Sequence, residues 1–271
     1  MRPNKTSLLL TPAALIMLAM PVLSHDYWFE PERLFVRVGD SVAVHLFVGE
    51  ALKSDEERVL QKEKTASFKM YSVGETLDLK ASGTDGQIPA ANVTFKSTGN
   101  YLIAMERSWS SITLDAKKFE EYLREEGLDS IIALRDQSGE SEKTARERYS
   151  RYLKSLLQVG SRHDETYKRE LRFKLEIVPQ TNPYELKLGY PLRVKVLFEG
   201  KPLTNAKVFA DNRQAGSTRT QQARTTGDGI ASFKLDRSGF WLVRLVHMRR
   251  CPDPAQADWE SFWAAYSFGA K

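Results

Sequence analysis

The chain has a single cysteine, Cys251, among 271 residues. No intrachain disulfide can form, so the fold must be held by its apolar core. Histidine is equally scarce and occurs only at His25, His45, His163 and His247. Several catalytic signatures are absent as well: there is no GxSxG elbow, no HExxH helix, no CxxC pair and no glycine-rich phosphate loop. The usual hydrolase, metalloprotease, thiol-redox and kinase readings therefore lose their sequence basis, and the expectation is a protein that is not an enzyme. Past the first two dozen residues, no run approaches the 18 or so uncharged apolar residues of a membrane-crossing helix.

Residues 1–24 read as a secretory signal peptide. Arg2 and Lys5 give the positive start, Leu8 to Met20 is almost wholly apolar, and Val22 and Ser24 fit the small-residue pattern of a cleavage site. The expected product is periplasmic, starts at His25 and has no stable membrane insertion. Arg2 and Lys5 are the only charges removed, which leaves 38 cations against 35 anions and a net of +3 in place of +5. Such an even balance gives no basis for a nucleic-acid partner. The densest basic group, Arg146, Arg148, Arg151, Lys154 and Arg162, reads as the solvated side of a helix.

The remaining 247 residues suffice for one large or two ordinary domains. LFVRVGDSVAVHLFVG at 34–49 alternates apolar and polar residues around Gly39, and YELKLGYPLRVKVLFEG at 184–200 repeats the pattern around Gly189. Period-two alternation broken at glycine marks half-buried strands. The expectation is a mainly β fold of two tandem immunoglobulin-like or transthyretin-like sandwiches, residues 25–180 and 181–271, divided in PQTNPY at 179–184. The first carries a helical insertion at about 115–158. One stripe there is Phe119, Tyr122 and Leu123, ended by Gly127; a longer one is Ala145, Tyr149, Tyr152, Leu153, Leu156 and Leu157. The pairs Glu56–Glu57 and Glu120–Glu121 read as solvated surface.

The chemistry-bearing position is His25. Once freed by cleavage, it offers a metal ion two nitrogens from one residue, the α-amine and the ring Nδ1, and the α-amine is far easier to deprotonate than a lysine. Such nitrogen donors suit nickel, cobalt, copper or zinc rather than calcium or magnesium. His247 ends the strand FWLVRLVH, and a hairpin into DWESFWAAYSF would return Asp258 and Glu260 toward it. The metal set these residues suggest is His25, His247, His45 and Glu260. His45 is the weaker member, on the opposite strand face from Val44 and Leu46, and His163 and Cys251 read as loop residues.

Several blocks carry a family resemblance: HDYWFEP at 25–31, RYLKSLLQVG at 151–160, LEIVPQTNPYEL at 175–186, GKPLTNAKV at 200–208, and WLVRLVHM with DWESFWAAYSF near the end. They resemble domain-of-unknown-function family 4198 across nearly the whole exported chain. The resemblance implies an exported two-sandwich protein with a transition-metal role, nickel or cobalt in particular, and a membrane uptake complex as partner; it puts His25, Asp26 and His247 at matching motif positions, which adds Asp26 to the expected metal set. Members of the metal-uptake branch tend to carry extra histidines after the first long strand, where VGEALKSDEER here has Glu50 and none; copper is therefore as open a reading as nickel or cobalt. Two alternatives stand beside metal delivery: a non-catalytic interaction module, and an oxidative enzyme with copper on the N-terminal histidine.

Overall fold

The computed structural model describes residues 25–271; the signal-peptide reading of residues 1–24 lies outside them. Eighteen strands in three sheets dominate the described chain, with three α-helices and one 3-10 turn. A ten-stranded central sheet lies between two four-stranded sheets. The front sheet joins Asp26–Pro31, Ser41–Glu50, Lys53–Glu57 and Ala91–Thr94. Its counterpart at the back joins Leu175–Pro179, Pro191–Phe198, Lys201–Pro202 and Ile230–Lys234.

Alternation in the central strands explains the layering, because neighbouring side chains of a strand point to opposite faces. In Gly99–Arg107, Tyr101, Ile103 and Met105 enter the front core with Trp28, Phe29 and Val44. Leu102 and Ala104, one residue out of phase, enter the back core with Leu175, Val194 and Phe233. Each outer sheet thus forms its sandwich with a face of the same central sheet. That sheet also crosses residue 180: Trp259–Ala270 pairs antiparallel with Gly239–Arg250 on one side and parallel with Ala145–Val159 on the other.

The repeat around the two glycines is structural. Gly39 and Gly189 have φ of +88° and +95°, where a Cβ would be strained. Each precedes the middle strand of an outer sheet, and each N–H donates across that sheet, from Gly39 to the Phe95 carbonyl (2.8 Å) and from Gly189 to that of Leu235 (2.7 Å).

The helical insertion needs correcting. Helices run over Ala116–Glu125 and Asp129–Gln137, the first capped by Asp115, whose side chain accepts from the Lys118 N–H at 2.9 Å. The longer stripe is no helix: Ala145–Val159 is a fifteen-residue strand at the centre of the large sheet. Leu153 and Leu157 face the front core, Tyr152 and Leu156 the back core. A strand buried on both faces needs apolar residues at consecutive positions, and the pairs 152–153 and 156–157 imitate helical spacing. The basic residues consequently do not form one solvated helix side. Lys154 is buried and paired with Glu176 at 2.6 Å, Arg146 pairs with Asp258, and Arg151 faces forward among aromatic rings.

Candidate functional site

The front sheet leaves part of the central sheet to be covered by the Ala116–Glu125 helix, whose Phe119, Tyr122 and Leu123 pack with Val246, Met248, Trp259 and Trp263. Along the seam between strand Asp26–Pro31 and this helix, the front face of the central sheet turns polar. Arg244 sits there in the apolar stretch FWLVRLV of its strand, with Leu242 and Val246 two residues to either side on the same face.

Three buried carboxylates converge on Arg244. Its Nε donates to Asp211 Oδ2 at 2.7 Å and lies 3.0 Å from Asp26 Oδ2, and Nη1 lies 3.5 Å from Glu126 Oε2. Its guanidinium covers the Phe209 ring at 4.5 Å. Burial alone would lower the arginine pKa, but Asp26, Asp211 and Glu126 outweigh it and hold the group above its ordinary range. Asp26 is pushed up from 3.8 to about 6, by burial first, with Arg244 opposing and the Asp211 charge adding to the rise. With three acids on one cation, the network keeps a proton until the pH nears 6.

This network forms the wall of a cavity of about 180 Å³. His25, Asp26, Glu50, Glu121, Glu125 and Glu126 line it, with Lys118 and Arg244 as the cations. Glu125 is raised, by burial first and then by Glu50 and Glu121, with His25 opposing; His25 therefore stands within electrostatic reach of it. Tyr122 forms part of the same wall, and its hydroxyl donates to Glu147 Oε1 at 3.1 Å. That oxygen also takes the Ser261 hydroxyl. Burial lifts Glu147 from 4.5 to about 7, against the opposing hydrogen bonds of Ser261 and Tyr122 and the charge of Arg151.

Of the residues expected to form one metal set, the fold brings together only His25 and Asp26. The expected hairpin exists, with His247 opposite Phe262 and Arg249 opposite Glu260. It nevertheless points away from His25. Positions 244 and 247 differ by an odd number, so Arg244 faces the front with Asp26 while His247 faces the back. The His247 ring lies against Phe198 (4.3 Å between centroids) and Phe262 (6.3 Å). Burial, then the Arg249 charge, lowers its pKa to about 4, with Glu199 opposing, so the ring is neutral at physiological pH.

Glu260 is likewise committed on the back face. Its Oε2 accepts from Arg148 Nε at 3.0 Å and its Oε1 from Arg249 Nε at 2.6 Å. Burial favours its neutral form, but those two arginines win and hold it below the usual range. His45 has its Nδ1 2.6 Å from Glu57 and its Nε2 3.8 Å from Glu32. It pairs with Glu30 where Asp26 pairs with Gly49, four residues along the strand or about 13 Å away. Among the described residues, no group of three or more His, Cys, Asp or Glu side chains is placed to hold a metal ion. Elsewhere, His163 Nδ1 lies 3.0 Å from Gln158 Oε1, and Cys251 is buried with its thiol on the Asp253 carbonyl.

Sequence reasoning missed Arg244, Asp211, Glu126, Glu147 and Arg151. One signal was readable: in FWLVRLV an arginine takes the place of an apolar residue in a stretch otherwise apolar on both faces. A charge in that position needs buried partners.

Residues 22–249 match the model of a domain of unknown function, DUF4198. No curated protein matches the sequence. Among solved structures, the three N-terminal domains of the bacteriophage RB49 Highly Immunogenic Outer Capsid protein (Hoc) are similar at 8% identity, with a TM-score of 0.18. That match covers 90% of this chain and 59% of the other.

Proposed function

The chain belongs to the DUF4198 family, and on that premise we propose that it is an exported transition-metal-binding protein with its site at a processed N-terminal His25. One observation carries the reading: His25 lines an acidic cavity with five carboxylates. Cleavage after Ser24 would add the α-amine to the ring nitrogen as a chelating pair from one residue, and the cavity carboxylates surround it with negative charge rather than with a ready-made ligand group. Nitrogen donors of this kind suit copper, nickel or cobalt. Asp26 is held by Arg244 and fixes the start of its strand rather than serving as a ligand. His247, His45 and Glu260 leave the ligand set.

The site stands on the packed seam between a sheet and a helix, which gives the ligands the outer-shell support that metal binding uses. Delivery to a membrane uptake complex in the periplasm is the role in which we place it. We also read the two halves, 25–180 and 181–271, as immunoglobulin-like or transthyretin-like sandwiches fused through the central sheet. The repeated Gly39 and Gly189 hydrogen bonds support that reading.

The test compares protein beginning at His25 with protein retaining one extra glycine before it, titrated calorimetrically with Cu²⁺, Ni²⁺ and Co²⁺. One equivalent of metal should bind the first form. The extension and His25→Ala should each weaken binding by about tenfold or more. Equal affinity in all three forms, or no binding in the first, refutes the proposal.

A further inference from the structure

A second cavity, of about 250 Å³, lies across Tyr122 from the acidic one and has the opposite character. Its cations are Arg58 and Arg151, its walls are Tyr27, Tyr149, Trp263 and Ile112, and its one carboxylate is Glu147. The Arg151 guanidinium carbon lies 4.3 Å from the Tyr27 ring centroid, 4.6 Å from Tyr149 and 5.5 Å from Trp263. Arg107 adds a third guanidinium, its carbon 5.6 Å from the centroid of the same Tyr27 ring.

Acceptors are unevenly shared in the arginine cage. Arg58 has two, Glu56 at 2.5 Å and the Tyr27 side chain, and Arg107 Nη2 has Gln61 at 2.7 Å. Among the described residues Arg151 meets aromatic rings but no hydrogen-bond acceptor, and its Nε is shut off from solvent without a partner. Arg107 Nη1 is in the same condition. Glu147 attracts Arg151 by charge but makes no hydrogen bond to it, its Oε1 taking the Tyr122 and Ser261 hydroxyls. Leaving a buried donor unmet is costly, and more so for a charged group. A guanidinium fixed by rings, with its donors unspent beside a cavity, is preorganised for a planar anion.

We propose that this cavity binds a small carboxylate with a flat or apolar body, its carboxylate on Arg151 and Arg58 and its body between Trp263, Tyr149 and Ile112. The volume lies just below the ~300–1,000 Å³ range of ordinary ligand pockets, which limits the body to about a single ring. Aromatic walls favour such a ring over a bare inorganic anion, which would leave the apolar surface unused. Binding is independent of His25 and of any metal.

The probe is benzoate, with benzamide as its uncharged counterpart and inorganic phosphate as a bare anion, each titrated into metal-free protein by calorimetry and by proton–nitrogen NMR. Benzoate should bind, with benzamide and phosphate at least about tenfold weaker. Arg151→Gln should cost benzoate roughly tenfold or more, with Arg151→Lys falling between. Ile112→Trp fills the cavity without touching a charge and should abolish binding while leaving the circular dichroism unchanged, which keeps the test decisive should the arginine variants misfold. His25→Ala should bind benzoate as the parent does. The proposal fails if benzoate does not bind, if benzamide or phosphate binds equally well, or if Ile112→Trp leaves benzoate affinity intact.

Discussion

Replacing Glu147 by glutamine tests the electrostatics of the seam. The amide keeps an oxygen to accept from Tyr122 and Ser261 but cannot ionise. In the parent, Glu147 titrates near 7 in the folded protein against 4.5 ordinarily, because burial opposes its charge. The native state therefore holds more protons than the unfolded chain between those values. Stability from this group is complete below pH 4.5 and is lost as the pH rises through 7, at about 1.4 kcal/mol per unit. Across the window the loss is roughly 3 kcal/mol. Urea unfolding of parent and Glu147→Gln at pH 4.5 and pH 8 measures it directly. The variant should gain roughly 3 kcal/mol on the parent between the two conditions, since Asp26 and every other titrating group contribute alike to both proteins and cancel in the comparison. A parent–variant difference that stays the same at the two pH values refutes the argument.

Two further substitutions probe the neighbouring groups. Arg244→Met leaves Asp26, Asp211 and Glu126 buried without their cation; it should destabilise the protein by about 3–5 kcal/mol near pH 8. Denaturant melts should show a smaller deficit at pH 5, where Asp26, titrating near 6 even in the parent, is protonated. His247→Phe puts a third ring beside Phe198 and Phe262 in place of a neutral imidazole, so stability should change by less than about 1.5 kcal/mol and metal binding at His25 not at all. A lost metal site in that variant, read by the same calorimetric titration, would return His247 to the ligand set.

The strands and the repeat were legible because they are local. Ser41–Glu50 and Pro191–Phe198 follow their glycines as the alternation predicts, and FWLVRLVH and WESFWAAYSF pair as the hairpin their spacing suggested. Ala145–Val159 was misread because the period of two disappears when both faces of a strand are buried. What buries them is a front core and a back core contributed in part by segments more than a hundred residues away in either direction. For the same reason the basic residues of that strand were assigned to water, whereas Lys154 is buried with Glu176 and Arg151 stands among rings.

Of the site, the sequence by itself determined the first step: a histidine placed directly after a small-residue cleavage pattern, followed by Asp26, at the head of an alternating strand. Strand parity was already written there too, since residues 244 and 247 can never share a face of one extended strand. Which residues meet at His25 was decided only by tertiary structure. Asp211, Glu126 and Arg244 are distant in sequence and converge because the central sheet draws strands from both halves of the chain while a helix closes over its front. Burial then supplies what no local pattern carries, the cost of charge away from water, and it is this cost that holds protons on Asp26 and Glu147.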